Sequence, residues 1–256
     1  MSAEHLSTLE RIHAAARAEK PSAVVIGEVW EDGSTKVAYG VRRKHILGGH
    51  CDGLMNYPLR SAILSYFSGG KAEDFVSGME TIREKYPPFA FYSAMNSLGT
   101  HDTPRILTLL GAGGEYRDQS KDWRARFRLS PRQRRRGKDL LRAAALLLFC
   151  FPGSPTVYYG DEAEIDGITD SNEGCRYPMP WQKNFQGCAH YQLYRTLCSL
   201  KKAHPALRRG GMKFLYAQGD TFAIARFTGE DILVGVISKS DTPETVRLPL
   251  GTLGAR

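Results

Sequence analysis

The stretch AVVIGEVWED, Ala23 to Asp32, decides how this chain is read. Four apolar residues, Ala23 to Ile26, stand between Pro21 and Gly27, and one carboxylate, Glu28, follows the glycine. A short apolar run with two valines, bounded by a proline and a glycine, predicts a strand buried on both faces. Upstream, Leu6, Leu9, Ile12 and Ala16 fall on one face of a helix over residues 6–18. Pro21 ends it, because it cannot continue a helix and biases Lys20 away from the helical region. Helix, short loop and buried strand make half of a βαβ unit.

The pattern recurs along the chain. A second candidate strand, Gly53 to Pro58, precedes the helical stretches LRSAILSYF and AEDFVSGMETIREKY. A third, Phe91 to Gly99, ends at THDTPR and is followed by a long helix from Pro131 to about Phe149. A fourth, Ser154 to Glu162, precedes a polar loop and a helix from about His190 to Ala203. Each strand ends in polar residues and leads to a helix, which favours parallel strands with active residues at their C-terminal ends. From Met212 the texture changes to alternating apolar and polar residues with turns at QGD, TGED and SDTPE, which predicts an antiparallel meander. The expected organisation is a parallel α/β region over residues 1–207 and a small antiparallel β-domain over 208–256. About 45 residues are few for a sandwich, which typically takes about 100.

Composition narrows the class. The 256 residues are 42% hydrophobic and 24% charged, as in ordinary globular chains. No run of about 20 apolar residues offers a membrane span, and the N-terminus lacks the apolar core of a secretory signal. Five scattered cysteines without metal-ligand spacing suit free thiols in a reducing cytoplasm. The histidines show no metal spacing, so neither a catalytic metal nor a cofactor is expected. The net charge of +8 comes largely from residues 122–142, including Arg132 to Arg136. No aromatics interleave with the arginine run after Phe127, so this reads as a solvated helix face and its lead-in loop rather than a nucleic-acid surface.

If the four strands are neighbours, Glu28, the His101–Asp102 pair and the Asp161–Glu162 pair converge on one rim. Paired carboxylates there suit glycosidic-bond cleavage, one protonating the leaving oxygen and another supporting an oxocarbenium-like state. A carboxylate at a strand end also serves as a helix cap or a loop salt bridge. Asp161 and Glu162 are read that way, as loop anchors, and Arg105 as an ion-pair partner. Asp52 lies at the start of its strand, the wrong end for chemistry.

The wording of three segments, VVIGEVWED, LGTHDTPRI and FPGSPTVYYGDE, resembles the α-amylase family of glycoside hydrolases. The segments KVAYGVRRKHILGGHCDGLMNYPLRSAIL and DSNEGCRYPMPW are similar to its neopullulanase, cyclomaltodextrinase and maltogenic-amylase branch. The resemblance implies an α/β fold: the last four strands of a (β/α)8 barrel followed by part of an antiparallel β-sandwich. It implies retaining cleavage of α-1,4, or α-1,6, glucosidic bonds in maltooligosaccharides, cyclodextrins or related α-glucans. Glu28 takes the role of general acid/base, Asp102 steadies the transition state, His101 bonds sugar hydroxyls and Trp30 stacks on a sugar face. On that view the dry strand fixes Glu28, and Val29 and Trp30 supply apolar surroundings that raise a carboxyl pKa.

The family's nucleophilic aspartate, which stands about 5–5.5 Å from the acid in a retaining site, belongs to a strand upstream of Met1. The expectation is therefore a chain inactive alone, completed by a separate N-terminal half or by homo-oligomerisation. The alternative expectation is a non-catalytic α-glucan-binding module.

Overall fold

The computed structural model describes residues 3–113, 119–168 and 174–254. Four short parallel strands form its spine: β1 (Ile26–Gly27), β4 (Gly53–Leu54), β5 (Met95–Ser97) and β6 (Ser154–Thr156). Ile26 pairs with Gly53 and Gly27 with Leu54. A parallel bridge from Met55 to Met95 joins β4 to β5, and Met95, Asn96 and Ser97 pair with Ser154, Pro155 and Thr156. The spatial order of these four strands is therefore their chain order, each pairing in parallel with the next. Between β1 and β4 lies a small hairpin, β2 (Val37–Ala38) and β3 (Val41–Arg42), turning at Tyr39 and Gly40, both at positive φ.

Helices supply the crossovers. α1 (Ala3–Glu19) precedes β1, where Arg17 and His13 bind Asp52 and the Asp52 carboxylate accepts from the Val25 amide at 2.8 Å. Asp52 is thus a clamp between α1, β1 and β4. α2 (Tyr57–Phe67) and α3 (Ala72–Lys85) follow β4. The Asn56 side chain caps α2 by accepting from the Leu59 amide, with Pro58 in the first turn. After β5 come α5 (Ile106–Ala112), α6 (Lys121–Arg126) and α7 (Pro131–Cys150), the last opened by a capping box between Ser130 and Gln133. α8 (Ala189–Ala203) and α9 (Pro205–Arg209) lead out of the parallel region.

The meander is β7 (Gly211–Gln218), β8 (Thr221–Phe227) and β9 (Ile232–Ser238), antiparallel throughout. It is not packed separately: Met212, Phe222, Ile224 and Ile237 share one apolar cluster with Leu59, Phe75, Leu141 and Leu197. Phe75 stacks on Phe222 at 4.7 Å. Arg226, almost fully buried, donates to the carbonyls of Cys150, Gly210 and Gly211 and so ties the end of α7 to the meander.

Four strand expectations need correction, and the second, Gly53 to Pro58, is a strand only over Gly53–Leu54 because Asn56 caps a helix that begins at Tyr57. The segment Ala23 to Ile26 is not buried on both faces: Val24 is 64% and Ile26 37% exposed. Among the described residues only β4 pairs with β1, so its other edge has no strand partner. The stretch from Phe91 starts as a helical turn, α4 (Pro88–Tyr92), because proline at the first helical position favours that geometry. The fourth strand stops at Thr156, and Tyr158 to Glu162 form turns around Gly160, whose φ is +90°.

Candidate active site

Glu28 and Trp30 follow β1, and His101 and Asp102 follow β5, so both pairs lie at the C-terminal end of the parallel strands. One residue joins them. The Tyr57 hydroxyl, at the start of α2, donates to Glu28 Oε1 at 3.1 Å. Burial pushes the Tyr57 phenol above its ordinary range, opposed by a hydrogen bond with Thr100, two residues before Asp102. Trp30 stacks on the Tyr57 ring at 4.3 Å with planes 15° apart. Half of the indole remains exposed, which leaves an aromatic platform open to solvent.

The dry surroundings expected for Glu28 are not there. Its side chain is exposed, and the flanking apolar side chains Ile26 and Trp30 are exposed with it; only Val29 is buried. Glu28 is therefore oriented by the Tyr57 hydroxyl rather than by enclosure in its own strand.

His101 and Asp102 are held by polar contacts. Asp102 Oδ1 accepts from Arg176 Nη2 at 3.0 Å, and Oδ2 lies 3.2 Å from His101 Nε2. The Asp102 amide donates to Thr100 Oγ1 at 3.2 Å, and Thr103 Oγ1 accepts from the Thr100 amide at 2.9 Å. The His101 carbonyl accepts from Arg176 Nε at 3.1 Å and Cys175 Sγ at 2.9 Å. The loop is thus pinned from its own turn and from residues 175–176. The Asp170–Glu173 part of the DSNEGCRYPMPW segment lies outside the described residues.

Behind the loop, Arg105 is fully buried. Its guanidinium lies 4.6 Å from the ring centres of both Tyr158 and Tyr159 and 3.9 Å from Asp161 Oδ1, and it donates to the Tyr159 carbonyl. Burial pushes the Asp161 carboxyl up to about 7 against the pull of the Arg105 charge. Glu162 accepts from the Gly160 amide at 2.8 Å. These contacts tie both acids to the turn behind the loop.

Sequence reasoning missed Tyr57, Thr100 and Arg176. Tyr57 had a usable signal: Asn56-Tyr57-Pro58 combines a helix cap with a proline in the first turn, which places Tyr57 at a helix start on the strand-end rim. Thr100 and Arg176 had none beyond their nearness to quoted motifs.

Parallel strands in chain order, each followed by helix, with carboxylates beyond their C-terminal ends, define a barrel-type α/β protein. Comparison with known proteins makes this specific. The profile of the α-amylase catalytic domain matches residues 2–189, and that of the neopullulanase-like C-terminal domain matches residues 212–256. The chain belongs to the α-amylase family. It is 29% identical to a cyclomaltodextrinase of Geobacillus thermopakistaniensis over 94% of this chain and 36% of that protein. It is 31% identical to neopullulanase 2 of Thermoactinomyces vulgaris over 92% of this chain and 35% of that protein. A solved cyclomaltodextrinase superposes with a TM-score of 0.75 at 27% identity, covering 94% of this chain and 36% of that one. The chain thus spans about a third of the length of these relatives. No described helix is long and apolar enough to cross a membrane.

Proposed function

We propose that this chain carries part of an α-glucan-cleaving site, with Glu28 as general acid/base and Asp102 as the carboxylate that steadies the oxocarbenium-like transition state. His101 bonds sugar hydroxyls beside Asp102, and the Trp30–Tyr57 stack carries a sugar ring next to Glu28. The substrates are maltooligosaccharides, cyclodextrins or pullulan-like glucans, in keeping with the names of the relatives. The observation that carries this reading is the Tyr57 hydroxyl, which donates to the Glu28 carboxylate at 3.1 Å while Tyr57 lines one recess with Thr100, two residues before Asp102. Arg176 acts as a positioning residue for Asp102.

The four parallel strands are read as the last four of a (β/α)8 barrel, with the meander as part of a C-terminal β-domain. β1 has an unpaired outer edge among the described residues, with Val24 and Ile26 exposed beside it. An exposed apolar strand edge is a surface for further strand pairing. A strand added there brings the nucleophilic carboxylate opposite Glu28, so this chain by itself binds glucan and does not turn it over. Homo-oligomerisation is the other way to cover the same edge.

The test is calorimetric titration of the 256-residue chain with maltohexaose and β-cyclodextrin, alongside reducing-sugar release. Saturable binding without turnover, weakened by Trp30→Ala and retained by Glu28→Gln, is the expected result. Absence of binding to either glucan overturns the reading, as does hydrolysis that Glu28→Gln leaves unchanged. A purely glucan-binding module is the second reading, favoured by the open Trp30 platform. It requires that joining the upstream strands restores no Glu28-dependent hydrolysis.

A further inference from the structure

The basic residues of α7 fall into two sets. Arg134 pairs with Asp166 at 3.0 Å, Lys138 pairs with Glu164, and Arg142 pairs with Asp139 at 2.9 Å. Arg132, Arg135 and Arg136 have no hydrogen-bond or ionic partner among the described residues. The unpaired three, and none of the paired three, line a cleft of about 880 Å³. It lies between α7, the Gly69 turn after α2, the end of α5 and the segment after β9. No residue of the Glu28–Tyr57–Asp102 site borders it.

This arrangement is unfavourable on its own. Residues 132, 135 and 136 are spaced i, i+3 and i+4, so three like charges share one helix face. They occupy the first two turns, the positive end of the helix, and the first turn holds no acid to offset them. Two carboxylates border the cleft, Asp139 and Asp241, of which Asp139 is held by Arg142. Lys239, also at the border, is taken by Asp220 at 2.6 Å. The helix cannot easily turn the arginines away. A Cβ on Gly137 would stand 2.7 Å from the Leu107 carbonyl oxygen, and one on Gly111 would stand 2.6 Å from that of Gln133. α5 and α7 therefore cross in backbone contact, which fixes the arginine face beside the cleft. All three arginines are exposed, so solvent screens part of this repulsion, and what remains is a positive face that a polyanion would neutralise.

We propose that this cleft is a second binding site, for a small molecule carrying clustered phosphate groups. Arginine forks match phosphate oxygens in a way that point charges do not. The volume lies in the range of small-ligand sites, about 300–1,000 Å³. A single-stranded nucleic acid fits less well, because stacking needs exposed aromatic faces and the cleft's one aromatic lining residue, Phe67, is buried in the core.

The test is titration of the full chain at low salt with pyrophosphate and, separately, with ATP. The same titrations are run on the triple variant R132Q/R135Q/R136Q and on Arg135→Glu alone. Glutamine keeps helix propensity, and the single charge reversal probes the same surface if the triple variant does not fold. The expected result is saturable one-to-one binding that weakens at least about tenfold in the variants. The unliganded triple variant should also melt no lower than wild type, because like-charge crowding is relieved. Pyrophosphate binding as tight as or tighter than ATP assigns the site to the phosphate groups, as does tighter ATP binding that inorganic tripolyphosphate matches, and tighter ATP binding that tripolyphosphate does not match assigns it to a nucleotide. The proposal fails if neither probe saturates, or if the variants bind as wild type does. It also fails if a single-stranded oligonucleotide binds more tightly than ATP and is lost in the same variants.

Discussion

The first and third strands of the parallel sheet are built in opposite ways. β1 pairs over two residues, and Val24, Ile26 and Trp30 around it are exposed. β5 lies between β4 and β6, with Asn96 and Leu98 fully buried and Ile106, Leu107 and Leu141 packed behind. Amide side chains stitch this inner part: Asn56 Nδ2 donates to Asn96 Oδ1 at 2.8 Å, and Asn96 Nδ2 donates to the Pro152 carbonyl at 2.8 Å. The proposed acid stands on the open strand and the proposed stabiliser follows the enclosed one. Glu28 is therefore placed from the enclosed side, through Tyr57 on α2, rather than by the strand that carries it.

The contrast can be broken by measurement. Phe222→Ala, in the cluster shared by helices and meander, should cost about 3–5 kcal/mol in urea unfolding. A loss under about 1 kcal/mol would show that the meander is only loosely attached. Arg226→Met should follow at about 3 kcal/mol, since it leaves three buried carbonyls without their donor. A variant as stable as wild type would remove Arg226 as the tie between α7 and the meander.

The pH dependence sharpens the comparison at the loop behind the site. Asp161 is raised from 3.8 to about 7, chiefly by burial. A carboxyl that holds its proton more tightly when folded stabilises fully below about pH 4, and that contribution is lost as pH rises through about 7. Wild type should therefore lose urea resistance between pH 5 and pH 8 by more than Asp161→Asn does. Equal losses would mean that the Arg105 charge outweighs burial.

Smaller effects belong to the open strand. Tyr57→Phe should cost about 1 kcal/mol in urea unfolding, the scale of one hydrogen bond, and should weaken glucan binding more than it weakens the fold. Unchanged glucan affinity would detach Tyr57 from the site. Val24→Ala should change stability by less than about 0.5 kcal/mol, as exposed positions do. A cost near that of Phe222→Ala would show that this edge is covered in solution.

Legibility in the sequence follows the range of the interactions involved. α7 is readable almost to the residue because Ser130, Pro131 and Gln133 write its start locally and the apolar repeat runs to Cys150. The strands are visible but mis-sized, since two- and three-residue ladders are set by partners at a distance, such as Gly53 for Ile26 and Ser154 for Met95. Glu28, Trp30, His101 and Asp102 are legible as motifs. Tyr57 could be placed at a helix start from Asn56 and Pro58, but its bond to Glu28, across 29 positions of chain, could not be read locally.

By itself, then, the sequence determined the alternation of helix and strand, the change of texture near Met212 and the chemical vocabulary of the rim. Those are local properties of spacing, turn residues and side-chain type. Only the tertiary structure decided that β1 is open, that Tyr57 orients the acid, that Arg226 welds the meander to α7 and that three arginines border one cleft. Burial and pairing are sums over neighbours brought together by folding, and no window along the chain contains them.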